Sequence, residues 1–353
     1  MASIDLRSDT VTKPTDEMRR AMAEAEVGDD VFGEDPSINR LQERAAELMG
    51  KEAGLLTASG TMGNLVAVLT HTQRGDEIVM GDQAHIFWNE GAGVSALAGA
   101  QTRLVPNGPQ GKIDPIELEA AIRPPGNIHF PPTTLVCLEN THNRCSGGVL
   151  TPQDTKEIAD IAHAAGAKAH LDGARIFNAA VYLETPVAEL VRDVDTVTFC
   201  LSKGLSAPVG SLLCGSRAFI EQARRWRKML GGGMRQAGII AAGALYALEH
   251  HRQDLAQDVE HARLLAERLA GMDGMSVDLD SVQSNIVRFE ITVMDAGLFA
   301  TRCHERGVHI LPNGERGLRA VTHRDVSRDD VISALGLMAS VLAAQEVEVT
   351  EGP

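Results

Sequence analysis

The stretch FCLSKGLSAPVG, residues 199–210, fixes the reading of the fold. An apolar run, Val197 to Leu201, ends close to a single lysine, Lys203. The chain turns at Gly204 and enters a second apolar run from Gly210 to Leu213. Short apolar runs bounded by turn signals read as buried strands. Lys203 therefore sits after a strand end, either as a solvated turn residue or as a desolvated amine held there for a purpose.

The same pattern extends along the first two thirds of the chain. GLLTAS (54–59) precedes a helical pattern from Thr61 to Thr72. DEIVMGD (76–82) precedes a helix-like stretch, 87–98. TTLVCLEN (133–140) leads through a long loop to a helix from Pro152 to Ala165. AKAHLDGA (167–174) precedes a short helical piece near 186–192, and DTVTFCLS (195–202) is followed by GSLLCG (210–215). Strands alternating with helices predict βαβ units and an α/β fold with a mostly parallel sheet between helices. Thr151-Pro152 and Asp114-Pro115 each supply an N-cap followed by proline at the first helical position. The last third differs. Residues 235–271 read as one long helix. Then come strand-like MSVDLD (275–280) and SNIVRFEI (284–291), a helix over 296–307, strands VHILP and GLRAVTH, and a final helix from Val326 to about 344. The tail EVEVTEGP reads as frayed. This gives an N-terminal arm (1–15), a large domain (16–245) and a small C-terminal α/β domain (246–353).

The chain is 44% hydrophobic and 23% charged over 353 residues, which suits a globular protein with a large core and a smaller one. A net charge of −15 argues against a nucleic-acid partner, because a phosphate-binding face needs clustered cations. The densest basic run, Arg224, Arg225, Arg227 and Lys228, reads mostly as a solvated helix face. No apolar window has the length of a signal peptide or a membrane span, so a cytoplasmic location without membrane association is expected. Five cysteines without a CxxC pair read as reduced thiols, and no metal-ligand spacing is present. His250, His251, His304 and His309 read as surface or helix-end residues.

In an open α/β sheet, ligands bind beyond the carboxyl ends of the strands. The residues there are Ser59-Gly60-Thr61, His85, Asn140-Thr141-His142, Asp172 with Arg175, and Ser202-Lys203. A strand, a small-residue turn and a helix start at Thr61 would aim free N–H groups at a phosphate, although an ordinary capped turn reads the same way. Asp172 ends a buried strand, where a carboxylate is costly unless paired. It either salt-bridges Arg175 or holds a protonated ring nitrogen of the pyridoxal phosphate kind. Lys203 follows thirty-one residues later. Burial would help it to lose its proton and act as a nucleophile, with Ser202 free to meet a phosphate and Gly204 allowing a cofactor to approach.

Several long stretches together, DLRSDTVTKP, VGDDVFGEDP, ASGTMGNL, CLENTHN, HLDGARIFNA, CLSKGLSAPVGSLLCG, RWRKMLGGGMRQ and LRAVTH, make the chain similar to the low-specificity L-threonine aldolases. These belong to the aspartate-aminotransferase-like, fold type I group of pyridoxal-phosphate enzymes. The resemblance implies a large domain with a mostly parallel mixed sheet, plus a small domain. It implies cleavage of L-threonine, L-allo-threonine and related β-hydroxy amino acids to glycine and an aldehyde, or alternatively β-elimination on the same fold.

The resemblance also implies roles residue by residue. Lys203 carries pyridoxal 5'-phosphate as a Schiff base, and Asp172 faces the ring nitrogen. Gly60, Thr61 and Ser202 are phosphate ligands. His85 stacks on the ring, and His129 lies near the substrate hydroxyl; the base is His85, directly or through a water, His129, or a bound water alone. Ser8, Arg175 and Arg319 take the substrate carboxylate. Lys228 and Arg235 reach the phosphate from a neighbouring subunit, which implies a homo-oligomer, a dimer of dimers with shared sites. Phe32 stands where some members carry tyrosine, beside the substrate.

Overall fold

The computed structural model describes residues 3–350, with side chains through 344. Its strands are β1 (Ile4–Asp5), β2 (Ala53–Thr57), β3 (Glu77–Gly81), β4 (Gln101–Val105), β5 (Thr133–Glu139), β6 (Lys168–Asp172), β7 (Thr196–Cys200), β8 (Ser211–Gly215), β9 (Met275–Ser276), β10 (Ile286–Ile291), β11 (Val308–His309), β12 (Leu311–Pro312) and β13 (Gly317–Val321). A seven-stranded sheet, β2-β8-β7-β6-β5-β3-β4, carries the larger core. β8 alone runs against its two neighbours; the other pairs are parallel. Every residue of β3, β7 and β8 is buried, which explains why they read as unbroken apolar runs. Phe177 and Phe199 meet edge to face in this core, and burying one such ring contributes about 1.5–3 kcal/mol.

The carboxyl ends of β2, β3, β5, β6 and β7 share one sheet edge, and β8 starts there. Helix starts are fixed by the caps expected. Thr151 accepts from Asp154 N while Asp154 reaches back to Thr151, opening the helix Pro152–Ala164, and Asp114 accepts from Ile116 and Glu117 ahead of Pro115–Ala121.

A second core lies under the antiparallel sheet β12-β13-β10-β9, packed by the helices Leu255–Ala270, Ala296–Glu305 and Arg328–Thr350. β1 pairs in parallel with β11, and Ile4 and Leu6 belong to this core, so the N-terminal arm is stapled to the C-terminal third.

Several expectations change. The stretch 87–98 is no single helix. A short helix, His85–Trp88, and a five-residue π-helix, Val94–Ala98, are separated by Gly91 and Ala92, both at positive φ. The expected long helix 235–271 is two, Gly238–His250 and Leu255–Ala270, although neither glycine nor proline marks the break. A tertiary contact marks it: His251, a helix-end residue as expected, is buried and its Nδ1 donates to the Leu205 carbonyl (3.0 Å). A helix Ile176–Tyr182 follows Arg175, ahead of the expected short helical piece, which is Val187–Leu190. MSVDLD keeps only two strand residues, and VHILP splits into β11 and β12. The final helix runs on to Thr350 through most of the tail expected to fray; 351–353 lie outside the described residues.

Candidate active site

Asp172 leaves β6 buried at the sheet edge, and both its oxygens are held. Oδ2 accepts from the Asn64 amide (2.9 Å) and Oδ1 from Ala174 N (3.1 Å). Asn64 stands in the second turn of the helix Gly60–His71 and also donates to Glu90 Oε1 (2.8 Å). Its own oxygen lies 3.1 Å from His170 Nε2, while His170 Nδ1 lies 2.9 Å from Thr196 Oγ1. Burial pulls His170 down to about 4, so it is neutral. An amide oxygen only accepts; His170 therefore carries its proton on Nε2, and the Thr196 hydroxyl donates to Nδ1. This chain of partners orients Asp172 from three layers back. The expected alternative for Asp172, a salt bridge to Arg175, is not formed.

His85 opens the short helix beyond β3. Its backbone N donates to Glu139 Oε2 (2.7 Å) and its ring Nδ1 to Glu90 Oε1 (2.8 Å). Burial pulls the imidazole pKa down, but the Glu90 hydrogen bond and the charges of Asp172, Glu90 and Glu139 outweigh it and raise the pKa above its ordinary value. With Nδ1 donating, Nε2 is the free lone pair.

The helix Gly60–His71 starts at the same edge. Ser59 Oγ accepts from Met62 N (3.2 Å), and the N–H groups of Gly60 and Thr61 have no partner among the described residues. Gly63 lets this helix lie on β7, since a Cβ there would come 2.7 Å from Thr198 Cγ2. Ser202 and Lys203 are half-buried in the turn after β7. The Lys203 carbonyl accepts from Ser206 N (2.7 Å) and Thr12 Oγ1 (3.4 Å), so backbone contacts fix the turn while the amine has no hydrogen-bond partner. Gly204 also admits the helix Leu255–Ala270, since a Cβ there would meet Leu255 Cδ2 at 2.8 Å.

Two arginines, Arg175 beyond β6 and Arg319 on β13, border the site. Arg175 is buried and clamped by Asp9, Nε to Oδ2 and Nη2 to Oδ1, both 2.7 Å. Burial opposes ionisation of Asp9, but Arg175, then Lys203 and Asn285, hold it down at about 2. The Arg175 fork expected for a substrate carboxylate is thus already filled on one edge. Ser8 accepts from Thr10 N and lies beside Asp9. Arg319 differs. Its Nη1 donates to Asn143 Oδ1 and its Nη2 to the Arg7 carbonyl, both 3.1 Å, while Nε is buried without a partner. Burial, Arg175 and Arg288 together push it down to about 10.

Four expected residues lie away from this cluster within one chain. His129 is exposed in the loop entering the amino end of β5, the opposite sheet edge from Glu139. Phe32 is 73% exposed. Lys228 is exposed, and Arg235 donates to Asp29 Oδ2 (2.7 Å). The loop before Arg235 nonetheless approaches the helix start, since a Cβ on Gly232 would meet Met62 Sδ at 2.5 Å. Within the basic run, expected to be mostly solvated, Arg227 is the buried member, pairing with Asp30 (2.5 Å) and donating to the Leu56 carbonyl (2.9 Å). Asp9, Asn64, Glu90, Glu139, Asn143 and His170 are site residues the sequence reading missed. The cost of a buried carboxylate at Asp172 was the one signal that such partners had to exist.

A free helix N-terminus with unpartnered Thr61 and Ser202 hydroxyls, a buried carboxylate and a lysine amine together match the phosphate, ring nitrogen and aldehyde of pyridoxal phosphate. Residues 5–292 match the family model for β-eliminating lyases. The chain belongs to that family. Within it, the chain is 44% identical to the low-specificity L-threonine aldolase 1 of Arabidopsis thaliana over 98% of both chains. It is 42% identical to the low specificity L-threonine aldolase of Escherichia coli K12 over 96% of this chain and 99% of that one. Among solved structures, a Leishmania major threonine aldolase superposes with a TM-score of 0.81 at 19% identity, covering 96% and 99% of the two chains. A Sphingomonas wittichii serine palmitoyltransferase gives 0.75 at 20%, covering 98% and 88%, which places this family member in the same fold.

Proposed function

We propose that this chain is a pyridoxal-phosphate-dependent L-threonine aldolase, cleaving L-threonine, L-allo-threonine and other β-hydroxy-α-amino acids reversibly to glycine and an aldehyde. The observation that carries this reading is one sheet edge bearing the Lys203 amine, the oriented Asp172 carboxylate and the free N–H groups of Gly60 and Thr61, with Arg319 opposite. The aldolase names of relatives 42–45% identical support the substrate.

When bound, the cofactor supplies an electron sink for the pair left at Cα as the Cα–Cβ bond breaks. Lys203 is the attachment residue, and its freedom from hydrogen-bond partners suits a group that must let go of the cofactor and return. Asp172, fixed by Asn64 and Ala174, keeps a proton on the ring nitrogen. Gly60, Thr61 and Ser202 hold the phosphate. Arg319, with the free edge of Arg175 and Ser8, holds the substrate carboxylate and so sets which bond to Cα breaks. His85 offers Nε2 as the base for the β-hydroxyl proton, and Glu90 stabilises the imidazolium that results. His85 works only when neutral; because its pKa is raised, cleavage falls as pH drops through a value above 6.5.

The same proposal includes a homo-oligomer, a dimer of dimers. Lys228 and Arg235 are exposed beside Val31 and Phe32, so an apolar and cationic surface stands ready for a neighbouring copy's site. His129 can meet a substrate only from another copy. Five free thiols support a cytoplasmic location. Among the described residues no helix is long and apolar enough to cross a membrane.

The test is product analysis of purified protein with L-threonine and L-allo-threonine side by side, reading glycine and acetaldehyde. Pyruvate and ammonia from β-substituted amino acids, with no acetaldehyde from threonine, would identify a β-eliminating enzyme instead. Lys203→Ala is expected to lose both the bound-cofactor absorbance and the turnover.

A further inference from the structure

Asn143 stands in the loop after β5 and was not among the expected site residues, yet it joins both sides of the cleft. Its backbone N donates to Glu139 Oε1 (2.8 Å), and the other oxygen of Glu139 accepts from His85 N (2.7 Å). Its side-chain oxygen accepts from Arg319 Nη1 (3.1 Å) and its carbonyl from Arg288 Nη2 (3.2 Å). Arg288 and Arg319 stand directly opposite each other on the antiparallel pair β10–β13. Like charges at such a position repel. No carboxylate pairs with either guanidinium among the described residues; both lean on the two oxygens of one asparagine.

We propose that Asn143 is the positioning residue for Arg319: it aims the guanidinium at the substrate carboxylate without cancelling its charge. The inference rests on the assignment of Arg319 to that carboxylate. Arg175 supplies the contrast, since Asp9 takes two of its donors and its charge together. A neutral amide oxygen gives direction alone. Geometry comes from Glu139, which anchors Asn143 to the strand end that also fixes His85. The loop is held from its far side as well, with Arg144 4.6 Å over the Trp88 ring and donating to Gln83 Oε1 (3.1 Å). A residue of this type has two separable properties, its shape and its lack of charge, and two substitutions separate them.

Asn143→Asp keeps the shape and adds a charge; Asn143→Ala keeps neutrality and removes the contact. If Asn143 acts as proposed, the aspartate variant is the worse enzyme. KM for L-threonine rises about tenfold or more in Asn143→Asp and less in Asn143→Ala, with most of the loss in KM rather than kcat, because a charge-assisted pair is stronger than the neutral one. Glycine affinity, read by titration of the cofactor absorbance, falls in the same order, and cofactor content is unchanged. In the cofactor-free protein the order inverts: Asn143→Asp melts higher than wild type, since a carboxylate relieves the Arg288–Arg319 repulsion, and Asn143→Ala melts lower. A purely structural asparagine would give the opposite kinetic ranking, aspartate milder than alanine, and that result overturns the proposal. Arg319→Lys runs alongside. If it raises KM while the Asn143 variants do not, the Asn143 role fails and the substrate assignment stands. If Arg319→Lys leaves KM unchanged, the carboxylate assignment fails and the inference falls with it.

Discussion

On the large-domain wall of the cleft, no buried side-chain polar atom of the Asn64, His170 and Asp172 network lacks a partner; on the small-domain wall, Arg288 Nε, Arg319 Nε, Asn285 Oδ1 and Asp258 Oδ2 all do. A fully satisfied network is rigid, because any movement breaks bonds that a low dielectric makes expensive. That suits a wall which holds Asp172 in one orientation, as its proposed role toward a ring nitrogen requires. The opposite wall keeps positive charge uncancelled, which costs stability but leaves binding energy for an anion that arrives later. Asp9 shows how easily that energy could be spent internally: where it reaches Arg175, two donors are consumed before any substrate binds.

The most severe way to break this contrast is to orphan the one paired cation. Asp9→Asn leaves Arg175 buried without its counter-charge and is expected to cost about 3–5 kcal/mol in urea unfolding. Asn64→Leu attacks the satisfied wall. It strips Asp172 and Glu90 of their shared donor and leaves the His170 N–H unpaired, so a loss of about 2–4 kcal/mol is expected, with weaker retention of the cofactor absorbance on dialysis. Asp258 tests the unsatisfied wall from behind. It lies under the Lys203–Gly204 turn, its Oδ2 is unpartnered, and burial plus the charges of Asp9, Asp254 and Asp325 against Arg324 push it up to about 8. The unfolded chain releases this proton near pH 4, so between about pH 4 and 8 the folded state binds more protons and stability falls as pH rises. Asp258→Asn removes that dependence and is expected to gain about 1–3 kcal/mol at pH 8 with little change at pH 4, read from melts across the range. Smallest in stability is Arg319→Lys, within about 0.5 kcal/mol of wild type on unfolding, because the cation replaced was already under-paired. Its cost should appear as a rise in KM for L-threonine instead. Equal stability losses from Arg319→Lys and Asp9→Asn would erase the contrast between the walls.

The sheet edge was legible because buried strands write themselves as apolar runs, and whatever follows such a run stands at the edge. Gly60, Asp172 and Lys203 could be found that way. The helices around residues 87–98 and 235–271 were not legible. The first is divided by Gly91 and Ala92, whose local conformation no periodicity encodes, and the second by a contact from His251 to Leu205, 46 residues away in sequence. Asp9 and Asn143 escaped for the same reason. A polar residue in a loop looks the same whether it faces water or a buried guanidinium.

By itself the sequence determined which polar residues stand at the sheet edge, because a lysine or carboxylate placed against a buried strand is costly and so conspicuous. Tertiary structure decided which charges are cancelled and which stay available. Arg175 and Arg319 read as equals along the chain. Only the fold sets a carboxylate against one and an amide oxygen against the other, and that difference depends on distances between segments remote in sequence.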